Sequence, residues 1–379
     1  MKFDNQLRHA IRIIETYNGD QPLHAWLKEF FRANKQMGSR DRKELSTLVY
    51  SYYRLGHSLP KTPVSDRLLA GLYICSDQPA DMLRHFHPEW DPQIPLSDKV
   101  ARIGLRVTDI FPWKAELSES IDHEQFCLSF LRQPDLFIRI RPGHQTSVLQ
   151  KLGAAQHEFI PPSTIRLPNG FPVENYFTPD REIVIQDYSS QQIATYLQIN
   201  KEPEFFWDAC AASGGKSILA NDLFPNLHIT ASDIRAAILK NLRTRFAAAG
   251  IRNYITFVAD LSTQPPPASA AGADLILADV PCTGSGTWSR TPEALYFFDP
   301  LKITQYQDRQ RRIISQIAPH LAPDATLVYC TCSVFKKENE EMIEWMHGRF
   351  DLQPELSNTI IGYPQHADTL FAARFTPQL

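Results

Sequence analysis

The sequence has few cysteines, and their spacing argues against two common uses of that residue. The six cysteines lie at positions 75, 127, 210, 282, 330 and 332. They form no Cys-x-x-Cys pair and no regular series, so neither a disulfide framework nor a zinc site is indicated, and we expect no bound metal. Free thiols of this kind are typical of proteins in a reducing compartment.

Long apolar runs and an excess of charge are also missing. No uncharged apolar stretch approaches the ~18 residues of a transmembrane helix. The first residues are polar and lack the apolar core of a secretion signal. The net charge is −3, so any surface that binds nucleic acid must be local. We therefore expect a cytoplasmic monomer that does not bind membranes.

Three regions of the chain differ in pattern. Residues 1–120 carry apolar side chains at helical spacing and predict an all-helical domain. Residues 121–195 include an alternating run at 136–141 that ends in Pro-Gly, which predicts a small α+β module. Residues 196–379 alternate apolar strand-like runs with helical stretches. This pattern predicts an α/β domain with a mostly parallel sheet and helices on both faces.

A loop with two glycines follows the first predicted strand of the third region. Residues 208–217 read DACAASGGKS. A Walker A loop requires glycine where Cys210 stands, so an NTPase is disfavoured. The other interpretation is the nucleotide loop of a doubly wound sheet, in which Gly214 and Gly215 allow a ligand to approach the backbone closely.

Acidic residues end four successive predicted strands, at Asp208, Asp233, Asp260 and Asp279. The carboxyl ends of parallel strands form the ligand crevice of an open α/β sheet, where an acid can bind ribose hydroxyls. Aspartate is also common after strands because it starts turns and caps helices. If all four acids face the crevice, a nucleoside with a cationic tail fits them, and S-adenosylmethionine is such a ligand.

Two cysteines lie just past strand-like runs on the same predicted edge. Cys282 ends the segment DVPC, and Cys332 lies in CTCS. A thiolate is a strong carbon nucleophile, and its addition to C6 of a pyrimidine makes C5 reactive toward a methyl donor. One thiol can attack while a second group assists release, and spacing alone leaves the order open. The other cysteines are interpreted as small buried hydrophobic residues.

Together these motifs resemble those of the RsmB/Nop family of RNA cytosine-5 methyltransferases. The segments that carry the resemblance are VIQDYSSQ at 184–191, DACAASGGKS at 208–217, ASD at 231–233, Asp260, DVPCTGSGT at 279–287 and YCTCS at 329–333. Residues 39–55 are similar to the NusB-like helical RNA-binding domain of bacterial RsmB members.

The resemblance implies a fold and an activity. We expect a class I methyltransferase fold, Rossmann-like, in residues 196–379, and a NusB-like domain in residues 1–120. The implied cofactor is S-adenosylmethionine, and the implied reaction is methylation of cytosine C5 in RNA, with ribosomal RNA favoured as substrate. A transfer RNA methyltransferase and a non-catalytic RNA-binding or ribosome-assembly factor with the same fold are the alternatives.

The resemblance also assigns roles to individual residues. Cys332 would form the covalent bond to C6, and Cys282 would assist release of the product. Asp233 would bind the ribose of the cofactor, Asp260 would lie by its adenine, and Asp279 would face both cofactor and target base. The residues that would cradle its methionine part are Cys210, Ala211, Ala212, Ser213, Gly214, Gly215 and Lys216. The family usually has proline at the position of Ser213, so we expect a less rigid loop here.

Basic residues are candidate contacts to the RNA backbone. Five positive charges lie between positions 32 and 43, where a solvated helix face is the alternative interpretation. Further candidates are Arg139, Arg141, Arg290, Arg309, Arg311 and Arg312.

Overall fold

The computed structural model describes residues 2–199, 201–270 and 272–377. Within it the chain forms two compact units. Unit 1 comprises Met1–Leu117, Asp122–Gln133 and Thr287–Pro300. Unit 2 comprises Ser118–Ile121, Pro134–Gly286 and Leu301–Leu379. The domain boundaries expected near residues 120 and 195 stay a prediction.

Helices and strands are numbered in chain order. The α-helices are α1 (Lys2–Thr16), α2 (Leu23–Ala33), α3 (Ser39–Arg54), α4 (Val64–Cys75), α5 (Asp81–Phe86), α6 (Leu96–Ile103), α7 (His123–Ser129), α8 (Gln145–Leu152), α9 (Tyr188–Gln191), α10 (Ala194–Leu197), α11 (Gly215–Leu223), α12 (Ala236–Ala249), α13 (Pro292–Tyr296), α14 (Leu301–Ile317) and α15 (Glu340–Phe350). The strands are β1 (Leu136–Ile140), β2 (Glu158–Ile160), β3 (Thr164–Leu167), β4 (Ile183–Ile185), β5 (Phe205–Asp208), β6 (His228–Asp233), β7 (Tyr254–Val258), β8 (Ala273–Asp279), β9 (Leu321–Thr331), β10 (Leu352–Ile360) and β11 (Leu370–Pro377). Within the described ranges, none of the helices combines the length and apolar character that crossing a membrane requires.

Unit 1 is built from helices around an apolar core. In α3, Leu45, Leu48, Val49 and Tyr52 recur at the spacing of one helix face, and all four are buried. They belong to the same core cluster as residues of α1 and α4. The helical periodicity read from this part of the sequence is therefore confirmed.

Helix α13 belongs to unit 1 although it lies far along the chain. Its Glu293 is buried, and one carboxylate oxygen accepts a hydrogen bond from the backbone N–H of Leu23 at 3.1 Å. The Tyr296 ring lies 5.8 Å from that of Tyr52 and 5.4 Å from that of Tyr53, measured between centroids. These contacts fix the segment within the helical unit.

Unit 2 contains a small antiparallel sheet in the order β2-β3-β1-β4. Along β1, Ile138 and Ile140 point to one face and enter an apolar cluster with residues of α8. Arg139 lies between them and therefore points to the opposite face.

The second sheet of unit 2 has the order β10-β11-β9-β8-β5-β6-β7. Strands β5 to β9 pair in parallel, whereas β11 pairs antiparallel with both β9 and β10. Chain order reverses beside β5, because β6 lies on one side of it and β8 on the other. In open α/β sheets a ligand crevice forms at such a switch point, outside the carboxyl ends of the strands.

Helices cover both faces of this sheet. Alternate residues of β8 enter different clusters, Leu275 and Leu277 with residues of α11 and α12, and Ile276 and Ala278 with residues of α14 and α15. Because the side chains of β8 are buried on both faces, its central residues form a continuous apolar run in the sequence. The predicted α/β class with a mostly parallel sheet is confirmed.

Candidate functional site

A cavity of about 440 Å³ lies at the carboxyl ends of the parallel strands in unit 2. The lining residues are Ala209, Cys210, Ala212, Asp233, Ile234, Arg235, Ala259, Asp260, Leu261, Asp279, Val280, Pro281, Cys282, Tyr306, Arg309, Ile313 and Cys332. All but three lie at or just after the ends of β5 to β9. The exceptions, Tyr306, Arg309 and Ile313, come from one face of α14.

Three of the four predicted acids line this cavity. Asp233 and Asp279 end their strands, and Asp260 lies two residues beyond β7. Asp208 does not line it, which corrects the expectation that all four acids face the crevice. Its carboxylate is buried and accepts a hydrogen bond from the Ser217 hydroxyl at 2.6 Å. Burial raises the pKa of Asp208 to about 7.

The Asp233 carboxylate is held from two directions. Oδ2 accepts a hydrogen bond from the backbone N–H of Ala212 at 3.0 Å, which ties the loop after β5 to the end of β6. Oδ1 accepts hydrogen bonds from the Arg235 backbone N–H at 2.9 Å and from its Nε at 3.0 Å. The Arg235 side chain is 59% exposed, so it can leave the carboxylate at little cost.

The loop at 210–216 also packs against α12. A Cβ on Gly214, whose φ is +81°, would lie 2.8 Å from the Phe246 ring, so the close approach of loop and helix requires glycine. The Ser213 hydroxyl accepts a hydrogen bond from Arg245 at 3.0 Å, and Arg245 is paired with Asp180 at 2.7 Å. These contacts restrain the position where the family usually has proline.

The predicted cradle residues therefore divide into two groups. Cys210 and Ala212 line the cavity, whereas Ala211 is packed into the apolar core beneath it. Gly215 is the first residue of α11. Lys216 also lies in the first turn of α11, but its side chain points to Asp279.

Lys216 and Asp279 form an ion pair with an Nζ–Oδ2 distance of 2.6 Å. Burial acts to lower the pKa of Lys216, but the Asp279 carboxylate, together with Cys330 and Cys332, raises that pKa above its usual value. Lys216 is therefore a cation held against Asp279. The other oxygen of Asp279 accepts a hydrogen bond from the Cys330 thiol at 3.3 Å.

The two predicted reactive cysteines are in contact. The sulfurs of Cys282 and Cys332 lie 3.3 Å apart, and both residues are half-buried in the cavity wall. The hydrogen bond between the thiols and the burial of Cys282 raise the pKa of Cys282 well above its usual value. The Cys332 carbonyl accepts a hydrogen bond from the Gly286 N–H at 2.8 Å, which ties the loops of the two cysteines together. Two thiols in contact beside a carboxylate can serve two steps of a covalent reaction at one ring carbon.

Several arginines lie elsewhere than predicted. Arg139 and Arg141 share the buried carboxylate of Asp222, at 2.6 and 2.7 Å, and their side chains are only 5% and 10% exposed. The prediction that these two contact an RNA backbone is therefore wrong. Arg309 lines the cavity instead, and Arg311 lies over the Trp345 ring at 5.6 Å.

For the remaining basic candidates, both an RNA contact and a solvated surface position stay open. Arg312 is exposed on α14, and Arg290 lies in unit 1, where it is half-buried. Of the five charges between positions 32 and 43, Arg40 is paired with Glu44 at 2.8 Å, and Arg42 is half-buried and donates from Nε to the Met37 carbonyl. The exposed members of that cluster on α2 and α3, or between them, are Arg32, Lys35, Arg40 and Lys43.

Some residues of the site were not found from the sequence. Tyr306 had a usable signal, because it precedes Arg309 by three positions and Ile313 by seven in a predicted helix, which puts the three on one face. Glu338 had none. It stands in the charged run Lys336–Glu341, yet it has no exposed surface. Among the described residues, no group of three or more His, Cys, Asp or Glu side chains is arranged to hold a metal ion.

Comparison with known proteins gives consistent matches. Residues 194–375 match the model of the family described as 16S rRNA methyltransferase RsmB/F. A relative from Synechocystis sp., named probable ribosomal RNA small subunit methyltransferase B, is 30% identical over 260 residues, covering 64% of this chain and 57% of that protein. The chain thus spans only about 57% of the length of such curated relatives.

Two solved structures are similar in fold. The crystal structure of PH0851 has a TM-score of 0.67 at 19% identity and covers 97% of this chain and 96% of that one. A methyltransferase homolog protein from Pyrococcus horikoshii has a TM-score of 0.59 at 23% identity, covering 74% of this chain and 98% of the other. At such identities these likenesses show the fold.

These matches bear on the predictions made from the motifs. The predicted class I methyltransferase fold and S-adenosylmethionine as cofactor are confirmed, and the match over residues 194–375 supports the predicted family. A NusB-like character of residues 1–120 lies outside the matched range and stays a prediction. Over residues 194–375, the chain is therefore similar to the RsmB/F family of methyltransferases.

Proposed function

We propose that this protein transfers a methyl group from S-adenosylmethionine to carbon 5 of a cytosine in RNA through a covalent bond between cysteine and C6. The observation that carries the proposal is the contact between the Cys282 and Cys332 sulfurs, 3.3 Å apart in the wall of the strand-end cavity. Asp279 lines the same cavity. The substrate we favour is ribosomal RNA, because curated relatives are named ribosomal RNA small subunit methyltransferase B.

The cavity suits the cofactor in size and charge. Its volume of about 440 Å³ is that of a small-molecule site. Asp233 and Asp260 are candidates to bind the ribose and to lie by the adenine, and Cys210 and Ala212 bring the loop backbone to the cavity wall. Asp279 adds a third carboxylate facing a ligand that carries a positive charge. Bound S-adenosylmethionine would supply an electrophilic methyl group at its sulfonium.

We assign the nucleophile to Cys332 and product release to Cys282, in agreement with the family motifs. The Cys332 thiolate adds to C6 of cytosine, and the electron pair of the C5–C6 bond becomes available at C5 for the methyl group. A base, such as water in the cavity, then takes the C5 proton, and the electron pair of that C–H bond re-forms the C5–C6 double bond as the Cys332 thiolate leaves. The raised pKa of Cys282 keeps its thiol protonated at neutral pH, which suits proton exchange during release better than attack.

Asp279 is placed to contact the target base. We infer that it faces the ring near N3, where negative charge develops when C6 is attacked and where a proton shared between N3 and the carboxylate would neutralise that charge. The ammonium of Lys216, at 2.6 Å, keeps Asp279 fixed and offsets its charge. The target base must leave its stack in the RNA to reach this cavity.

The test is methylation of total RNA with labelled S-adenosylmethionine, followed by bisulfite sequencing to locate 5-methylcytosine. Cys332→Ala should abolish transfer, whereas Cys282→Ala should accumulate a protein–RNA adduct that survives denaturation. Cys75→Ala, which removes a cysteine of unit 1, should behave like the unchanged protein.

Each failure has a distinct meaning. Full turnover by Cys332→Ala would overturn the covalent mechanism. Cofactor binding without any methyl transfer to RNA would indicate a non-catalytic RNA-binding or assembly factor. A 5-methylcytosine found in transfer RNA and absent from ribosomal RNA would change the substrate but retain the chemistry.

A further inference from the structure

A buried carboxylate connects the loops that follow β8 and β9. Glu338 lies between β9 and α15 and has no exposed surface. Its Oε1 accepts hydrogen bonds from the backbone N–H of Thr283 at 3.0 Å and from Nε2 of Gln310 at 2.9 Å. Its Oε2 accepts hydrogen bonds from the Thr283 hydroxyl at 2.6 Å and from the Ser333 hydroxyl. One side chain therefore holds both loops and α14.

The residues that Glu338 holds are the immediate neighbours of the two thiols. Thr283 follows Cys282, and Ser333 follows Cys332. Because only one peptide unit separates each held residue from its cysteine, the position of the carboxylate is transmitted to both sulfurs.

A third hydroxyl completes the connection. The Ser285 Oγ lies 3.2 Å from the Thr283 Oγ1 and 3.2 Å from the Ser333 Oγ, and it accepts a hydrogen bond from the Val334 N–H at 2.9 Å. All these groups are buried or half-buried in unit 2. A network of this kind is rigid only while each donor has an acceptor.

A carboxylate suits this position and an amide does not. Burial raises the pKa of Glu338, whereas the hydrogen bonds from Ser333 and Thr283 act to lower it. Four donors point at the two oxygens of Glu338, and an ionised carboxylate accepts hydrogen bonds only. A glutamine at 338 has the same volume but must present its N–H₂ group to one pair of donors. Facing the Thr283 N–H and Gln310 Nε2, it would lose both hydrogen bonds; facing the Thr283 and Ser333 hydroxyls, it would force them to accept and to turn their protons away from position 338. A buried donor left without an acceptor destabilises this arrangement and favours displacement of the loops.

We propose that Glu338 is a positioning residue that sets the distance between the sulfurs of Cys282 and Cys332. Its effect on catalysis rests on the proposed function, whereas its effect on the distance between the thiols does not. The experiments below separate the two.

The first experiment measures sulfur proximity by oxidation with diamide. Diamide takes two hydrogens from the thiols and is reduced to the hydrazine, while one S–S bond forms. In the unchanged protein, mass spectrometry of unreduced peptides should find rapid linkage of Cys282 to Cys332. Glu338→Gln should slow this linkage by about tenfold or more, because misalignment near 1 Å costs up to about 100-fold in reactions between held groups.

Glu341→Gln is the matched control. Glu341 also accepts a hydrogen bond from an amide of α14, Gln307 Nε2 at 3.1 Å, and it is close to Glu338 in sequence. Linkage in Glu341→Gln should proceed at the unchanged rate. Equal rates in folded Glu338→Gln and in the unchanged protein would overturn the proposal, and so would equal slowing in both variants.

The second experiment measures methyl transfer. Glu338→Gln should lower kcat by about tenfold or more while the Kd for S-adenosylmethionine stays unchanged, because the thiols move and the cofactor loop does not. Thr283→Val, which removes one hydroxyl donor and retains the carboxylate, should lower kcat and slow linkage in the same direction. If Glu338→Gln does not fold, Thr283→Val tests the proposal in its place. An unchanged kcat in both variants would overturn the proposal. If the unchanged protein methylates no RNA, the proposed function fails, and the linkage rates still test Glu338.

Discussion

Replacing Gly214 by alanine should destabilise the protein more than replacing Gly250 by alanine. The two glycines have similar left-handed backbones, with φ of +81° and +77°. That conformation costs a residue with a Cβ about 1–2 kcal/mol. A Cβ on Gly214 would lie 2.8 Å from the Phe246 ring and 2.9 Å from the Leu242 side chain, whereas one on Gly250 would meet nothing within 4 Å. Because overpacking adds about 1–3 kcal/mol, we expect losses of about 2–5 kcal/mol for Gly214→Ala and about 1–2 kcal/mol for Gly250→Ala.

Urea unfolding gives the free energies, and calorimetric titration with S-adenosylmethionine gives the effect on the site. Gly214→Ala should also raise the Kd for the cofactor, since relief of the overlap with α12 moves the loop that lines the cavity. Gly250, at the end of α12, should leave that Kd unchanged. Equal losses of stability in the two variants would refute the argument that close packing of loop and helix demands glycine at 214.

Three further outcomes follow from other contacts. Arg235→Ala should tighten cofactor binding by up to about fivefold. The exposed ion pair between Arg235 and Asp233, worth up to about 1 kcal/mol, then no longer competes with the cofactor for the carboxylate. Weaker binding in the titration would contradict this. Asp208→Asn should remove a pH dependence from the free energy of unfolding in urea. The pKa of Asp208 is raised from 3.8 to about 7, so its contribution to stability is complete below pH 3.8 and is lost as the pH rises to about 7. Identical pH profiles for the two proteins would count against that assignment. Gly286→Ala should lower the melting temperature and slow methyl transfer, because its Cβ would lie 1.8 Å from the Thr369 carbonyl oxygen, and normal activity would show that the loops relax.

The parallel sheet and its reactive edge could be read from the sequence for one physical reason. Strands buried on both faces have a continuous apolar run, as in Leu275–Ala278, and the polar residues that follow them in the chain meet at one edge. Cys282 and Cys332 could therefore be placed together before their distance was known. Their order in the reaction could not, because both occupy equivalent strand ends and only the family motifs distinguish them.

The direction of each side chain at the strand ends could not be predicted from the sequence. Asp208 and Asp279 both end strands, yet Asp208 turns to Ser217 beneath the loop while Asp279 reaches the cavity. Arg139 lies in an alternating strand and looks like an exposed basic residue, but its partner Asp222 is supplied by a helix 83 positions away in sequence. Glu338 is the clearest case, since its burial depends on the Thr283 N–H and hydroxyl, which are supplied by a separate loop.

The segment Thr287–Pro300 has a consequence for how the protein can be divided in the laboratory. It belongs to unit 1, although the chain before and after it belongs to unit 2. A fragment starting at residue 134 would carry Glu293 and Tyr296 without their partners Leu23 and Tyr52, and one ending at residue 133 would lack that segment. Neither half is a continuous piece of chain. Expression of unit 2 alone therefore requires a short linker in place of residues 287–300, and unit 1 must receive this segment as a separate peptide.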